Sequence, residues 1–227
     1  MLYTAIIIEP RKHKALQFVL NNFLSNLSND WSIIVFHGNN NIDYLNDIIN
    51  NNLSHFKYRL SLINLNINNL NVKQYNDLLK YNKDLYNHIP TEIFLVFQTD
   101  TIIFEKHKNL INYFLKYNYV GAPWQHPHNN HQLVGNGGLS LRRKSKMIEI
   151  MEKQGKNDFP EDIYFSCFTD IDLYKPSSEE AKLFSVETIY SSISFGCHKP
   201  WFRDFGNKLY DKYEELRELY KYNDIII

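Results

Sequence analysis

The stretch 92–104, EIFLVFQTDTIIF, decides the fold. Ile93, Phe94, Leu95, Val96 and Phe97 form an unbroken apolar run, rich in β-branched and aromatic types. Such a run reads as a strand buried on both faces, the kind found inside a parallel sheet. It stops at Gln98-Thr99-Asp100, and apolar residues resume at Ile102. A carboxylate at the end of a buried strand lies at the carboxyl edge of the sheet, where open α/β sheets bind ligands. Burying it bare is costly, so Asp100 calls for a cation, a metal or backbone N–H groups. Capping of a turn is the plainer use of the same residue.

Upstream, the pattern alternates between strand and helix. Residues 4–8 are a short apolar strand ending at Glu9-Pro10-Arg11. Leu16, Val19, Leu20, Phe23, Leu24 and Leu27 recur at helical spacing and give one wide apolar face. Residues 32–36 are the next strand, 42–49 a short helix and 58–65 a third strand. Asn71 is placed to cap a helix from Val72 to about Tyr81. Strands separated by helices imply crossovers and a mostly parallel sheet.

Downstream the elements shorten. Residues 110–117 read as helix, and 119–124, YVGAPW, as a strand broken by Pro123. Residues 134–142, VGNGGLSLR, are a glycine loop running into a strand, followed by a helix over 144–154. Pro160-Glu161-Asp162 opens another helix, and 177–184 is helical with Ser177 or Ser178 as its cap. A last strand is expected at 193–196, and Leu209, Tyr213, Leu216 and Tyr220 mark an amphipathic C-terminal helix.

Bulk properties exclude several classes. A chain of 227 residues suits one α/β domain and is short for two. The 25 basic and 25 acidic residues cancel, so no field favours nucleic acid or an anionic membrane. Cys167 and Cys197 make no disulfide framework, which fits a reducing, cytoplasmic setting. The N-terminal apolar run at 5–8 is neither a signal peptide nor a membrane span. The abundance of Asn, Ile, Lys and Tyr is read as codon bias from an AT-rich genome.

Four loops adjoin apolar strands and carry ligand-type residues: 9–11, 98–100, 135–138 with 160–162, and 197–199. Taken together, QTD, GAPW, GNGGLSLR, PEDIYF and GCHKPW resemble a glycosyltransferase-like family, within the GT-A class of nucleotide-sugar glycosyltransferases. The resemblance runs from about Ile8 to Trp201. It implies an α/β fold: one GT-A-like, Rossmann-like domain with a mostly parallel central sheet flanked by helices. A nucleotide-binding half is then expected over about 1–104, an acceptor half over 105–205 and a C-terminal helix over 206–227.

The resemblance also implies roles. Asp100 matches the second carboxylate of an Asp-x-Asp motif, which binds a divalent ion bridging the donor diphosphate; Gln98 replaces the first. His198 matches a C-terminal His that completes the metal shell, so Asp100 and His198 are the expected ligands of Mn²⁺ or Mg²⁺. Glu9, Arg11, Gln98 and Asp100 are expected around the nucleotide, with Arg11 able to pair with a phosphate. Asp162 is expected to be the general base and Glu161 an acceptor ligand. Asn136, Gly137, Gly138 and Trp124 are expected on the acceptor side, where glycines let a sugar approach the backbone and the Trp offers a stacking face. The partners implied are a nucleotide-sugar donor, UDP-linked by preference, and a hydroxyl on a glycan, protein or small molecule. His126, His128 and His131 could hold zinc, but with no Cys or carboxylate beside them they read as a loop over the site.

Overall fold

The computed structural model describes residues 1–168, 170–203 and 206–226. In chain order the strands are β1 (Tyr3–Ile8), β2 (Trp31–His37), β3 (Leu60–Asn64), β4 (Ile93–Val96), β5 (Thr101–Ile103), β6 (Tyr119–Val120), β7 (Ser140–Arg143), β8 (Ser185–Val186) and β9 (Gly196–His198). The α-helices are α1 (Leu16–Asn26), α2 (Ile42–Asn51), α3 (Val72–Tyr81), α4 (Lys83–Asn87), α5 (Ile111–Phe114), α6 (Lys144–Lys153), α7 (Glu161–Ser166), α8 (Ser178–Ala181), α9 (Gly206–Lys212) and α10 (Glu215–Tyr222).

Six strands form the central sheet in the order β3-β2-β1-β4-β7-β6. The contacts of β1 with β2 and β4, and of β2 with β3, are parallel; only β7 runs against its neighbours. Strict alternation of apolar residues loads both faces. Ala5, Ile7, Ile33, Val35 and Leu95 join one core, while Ile6, Ile8, Ile34, Phe36, Phe94 and Val96 join the other. The first core is closed by α1, α2, α5, α9 and α10, and the second by α3, α4, α6 and α7. Phe97, just past β4, stacks on Phe23 of α1 at 3.9 Å between ring centroids. Both faces are thus covered, as a mostly parallel sheet requires.

Local signals explain several boundaries. Asn71 caps α3 through a capping box, its side chain accepting from Gln74 N–H while Gln74 accepts from Asn71 N–H. Ser177 and Glu180 do the same for α8. The third strand starts later than its apolar pattern suggests, because residues 54–59 wind into a 3₁₀-helix. Arg59 is consequently buried, and its guanidinium donates to the carbonyls of Leu24, Leu27, Ser28 and Trp31. The bonds to Leu24 and to the C-cap Leu27 satisfy carbonyls at the end of α1 that its own ladder leaves open, and the other two tie the turn into β2.

The second half departs more from the sequence pattern. The helix expected at 110–117 is a 3₁₀-helix over Glu105–Leu110 followed by one turn of α5. The strand expected at 193–196 begins only at Gly196, and Ile193 is half exposed. β8 has no counterpart in the sequence reading; two residues are too few to carry a period. The C-terminal helix is split into α9 and α10, and residue 227 of its expected span lies outside the described residues. Among the described residues, no helix is long and apolar enough to cross a membrane.

Candidate active site

The sheet itself selects the place. β1 is flanked by β2 on one side and β4 on the other, so the order of strands reverses between β1 and β4. Crevices beyond the carboxyl ends of strands at such a reversal are where open α/β sheets take ligands. Glu9 follows β1 and the turn 98–100 follows β4; both line a cleft of about 430 Å³. Leu70 and Asn71 just before α3, with Val72, Tyr75 and Asn76 of its first turns, form a second wall, and Gly137, Gly138, Glu161, Asp162, His198 and Lys199 also line the cleft.

The small sheet, ordered β5-β9-β8, assembles the cationic side. Thr101 is opposite His198 in the antiparallel β5–β9 pair. One step on, Lys199 N–H donates to Asp100 O at 3.0 Å. Asp100 Oδ1 therefore lies 3.4 Å from His198 Nε2, and Lys199 Nζ lies 3.8 Å from Asp100 Oδ2. Neither Asp100 Oδ1 nor His198 Nε2 has a hydrogen-bond partner, although both atoms are buried. Burial pushes the Asp100 carboxyl up, but the charges of His198 and Lys199 outweigh it and hold the group below its ordinary value. Burial opposes charging of the His198 ring, yet Asp100 and Glu187 push it up to about 9. Lys199 adopts a left-handed backbone with φ of 44°, an uncommon conformation for a residue with a side chain.

Asp162 stands in a different environment. It is the second residue of α7, after Glu161 and the Pro160 cap, and its Oδ1 accepts from Ile163 N–H at 2.8 Å and its Oδ2 from Gly137 N–H at 3.4 Å. Burial, then the neighbouring charge of Glu161, push its carboxyl up to about 6. Glu161 also borders the cleft, but both its oxygens are engaged by the wholly buried Arg142, at 2.7 Å and 3.0 Å. The pair ties β7 to the start of α7, and Asn76 of α3 adds a bond to Glu161 N–H at 3.0 Å.

The glycine loop serves the protein's own side chains. A Cβ at Gly138 would overlap the imidazole of His198, and one at Gly137 would overlap the Glu161 carboxylate. Both glycines border the cleft as well, so the expected access to the backbone exists, but close packing of His198 and Glu161 is what forbids a side chain there.

Other expected residues fall as follows. Glu9 holds Arg11 through two bonds of 2.8 Å, to Nε and Nη2, so much of the fork expected to face a phosphate is already engaged. Gln98 Nε2 donates to the Tyr75 hydroxyl at 3.0 Å, and both residues line the cleft. Asn136 turns its Oδ1 inward to accept from Gly138 N–H, at 3.1 Å from His198 Nδ1 as well, and is not part of the cleft lining. Trp124 is likewise not in the lining: it is buried and packs edge-on against His128 with centroids 4.3 Å apart. Its indole fills the space beside Gly135, which removes it as a stacking face in this cleft. His126, His128 and His131 are exposed, and among the described residues no group of three or more His, Cys, Asp or Glu is placed to hold a metal ion.

Sequence reasoning missed Glu187, Arg142 and Tyr75. Glu187 is buried with its Oε1 3.1 Å from His198 Nδ1, and nothing in its own surroundings along the chain marks it. Arg142 stands within the GNGGLSLR motif at an alternating inward position, where an Arg demands a buried carboxylate.

Solved structures resemble this fold. The galactosyltransferase LgtC, in complex with donor and acceptor sugar analogs, superposes with a TM-score of 0.59 at 13% identity, covering 98% of this chain and 96% of that one. S. aureus TarS 1–349 in complex with UDP-GlcNAc gives 0.54 at 11% identity, covering 98% of this chain and 66% of that one. At these identities the likeness establishes the fold, which is that of GT-A glycosyltransferases. No curated protein sequence matches the chain. Residues 59–198, more than half of the chain and the part that carries the turn after β4, the glycine loop, α7 and β9, match the model described as "Protein of unknown function (DUF5672)", and the chain belongs to that family.

Proposed function

We propose that the protein is a glycosyltransferase that moves a sugar from a nucleotide-sugar donor, UDP-linked by preference, to a hydroxyl acceptor with inversion and with help from Mn²⁺ or Mg²⁺. One observation carries the reading: Asp100 Oδ1 and His198 Nε2 face each other at 3.4 Å, both buried and neither in a hydrogen bond, at the strand-order reversal of a GT-A fold. Buried polar atoms are otherwise almost always satisfied, so an orphaned oxygen and nitrogen side by side fit a shared cation. Two protein ligands suffice for a hard divalent ion that keeps waters and binds substrate phosphates. Ligation needs a neutral imidazole, so the ion replaces the proton that His198 otherwise holds. When bound, it supplies Lewis-acid stabilisation of the charge that grows on a departing nucleoside diphosphate.

The chain's own groups do the rest. Lys199 adds a positive charge at the rim of the same wall, and Glu9 keeps Arg11 pointed along the cleft. Gln98, fixed by Tyr75, keeps a carbonyl oxygen for the nucleotide where an Asp would add a second negative charge. Asp162 takes the proton from the acceptor hydroxyl; a carboxyl raised to about 6 is ionised at neutral pH yet more basic than an ordinary Asp. Arg142 neutralises Glu161 beside it and holds the start of α7 against the glycine loop.

The test is thermal stabilisation and calorimetric titration by UDP and UDP-sugars with and without Mn²⁺. A ligand that binds only the folded state raises its melting temperature. Metal-dependent UDP binding followed by transfer or slow donor hydrolysis is expected. Absence of any metal-dependent nucleotide affinity would reduce the protein to a GT-A-shaped binding module, the rival reading that rests on Gln98 standing in place of the first carboxylate. Release of pyrophosphate from a nucleoside triphosphate would make it a nucleotidyltransferase instead.

A further inference from the structure

Resting on the cation site just described, we propose that Glu187 is its positioning residue: it holds the His198 ring through Nδ1–H, so that Nε2 is left as the donor beside Asp100. The strand register brings the two together. β8 pairs with β9 in parallel, Val186 opposite Cys197, and the next step of both chains sets Glu187 beside His198. Its Oε1 lies 3.1 Å from Nδ1, and the side chain is buried. Asn136 Oδ1 faces the same nitrogen at 3.1 Å and is known to be the oxygen end of the amide, because it accepts from Gly138 N–H. Two acceptors on one ring nitrogen require that nitrogen to carry hydrogen. The opposite nitrogen, which otherwise holds its proton toward Asp100 Oδ1, is then the one that gives up that proton and offers its lone pair when a cation binds.

The ring has little room to turn away. It packs against the backbone of Gly138, where a Cβ would overlap it. The two acceptors are not equivalent. An amide oxygen fixes orientation alone, whereas a carboxylate on the far nitrogen also makes the near nitrogen a better electron-pair donor. Glu187 further adds negative charge behind the imidazole. With Asp100 in front, the pair of acids favours a divalent cation over a bare diphosphate at this wall.

The experiment measures Mn²⁺ affinity directly, by electron paramagnetic resonance or calorimetry at saturating UDP, on the full chain and on Glu187→Ala and Glu187→Gln. UDP affinity in chelator and the metal-free melting temperature are measured on the same samples. Loss of the carboxylate is expected to weaken Mn²⁺ binding by about 10–100-fold in Glu187→Ala, as for other partners of metal-bound histidines. Glu187→Gln keeps an acceptor oxygen and should lose less, with an unchanged melting temperature and unchanged UDP affinity in chelator. A purely structural role would lower those last two quantities together with metal affinity. Wild-type Mn²⁺ affinity in a folded Glu187→Gln and Glu187→Ala overturns the inference while leaving the cation site standing. No Mn²⁺ binding by the wild type overturns the functional reading itself. Should Glu187→Ala fail to fold, Glu187→Gln alone decides, by a lowered or an unaltered Mn²⁺ affinity.

Discussion

The two walls of the cleft hold the same residue type in opposite states. Asp100 is buried among cations, with His198 at 3.4 Å and Lys199 at 3.8 Å, and its carboxyl is held below the ordinary value. Asp162 is buried beside another acid, Glu161, and rises to about 6. Burial acts in the same direction on both; the sign of the nearest charge decides the outcome. One wall is therefore a permanent anion, fit to hold a cation, and the other a carboxylate near its own titration at neutral pH, fit to move a proton. Pairs of acids driven apart in this way divide the roles of a site.

The sharpest way to break the contrast is Asp162→Asn. In the proposed reaction turnover should fall by about 10²–10⁴-fold while donor affinity changes little, because general-base help is worth that much. The wild-type activity should rise through a pH of about 6 as Asp162 ionises, and the variant should lack that limb. Measurement of kcat and KM across pH checks both; a loss confined to KM would move Asp162 to the binding wall.

Asp100→Ala attacks the other wall. Metal-dependent UDP binding should disappear, and transfer should drop by about 10²–10³-fold, the scale of several kcal/mol that a Lewis acid supplies. The fold should persist but with a lowered melting temperature, since the substitution also removes the buried ion pairs of Asp100 with His198 and Lys199. Arg142→Ala instead leaves Glu161 charged and unpaired in the interior, and should destabilise the fold by about 3–5 kcal/mol in denaturant unfolding.

The smallest effect concerns stability at Asp162. Its carboxyl is raised in the folded chain, so the folded state holds the proton more tightly than the unfolded one between the ordinary carboxylate value and about 6. Stability contributed by that group is present at low pH and is lost as pH climbs through about 6. Asp162→Asn should therefore raise the melting temperature relative to wild type at pH 8, and do so less at pH 4.5. An equal shift at both values would mean that Asp162 ionises as an ordinary surface acid does.

Much of the first half of the fold was legible. The apolar run 93–97, the helical spacing from Leu16 to Leu27 and the cap at Asn71 are local signals, and β4, α1 and α3 lie where those signals put them. Each depends on residues within a few positions of one another. The later elements resisted the same reading. β8 has two residues and β9 three, and each exists only because it pairs with another segment. The site divides along the same line. Asp100 and His198 were legible as ligand types in loops, and the structure sets them side by side. Trp124, equally suited by type, is instead buried against His128, because the loop after β6 turns its indole away from the cleft. Glu187 was not legible, and Arg142 signals at most a buried carboxylate without saying that it is Glu161, because that partner arrives from another element.

The sequence alone determined the parallel sheet, the side on which its carboxyl edge would present acids, and the kinds of groups available there, because alternation, helical spacing and capping act over a few residues. The tertiary structure alone decided which of those groups meet: it set Asp100 against His198, His198 against Glu187, and Glu161 against Arg142, across separations of up to 98 positions in the chain. The physical reason is that a side chain's protonation and orientation depend on its nearest charges and donors, and in this fold those neighbours arrive from distant strands.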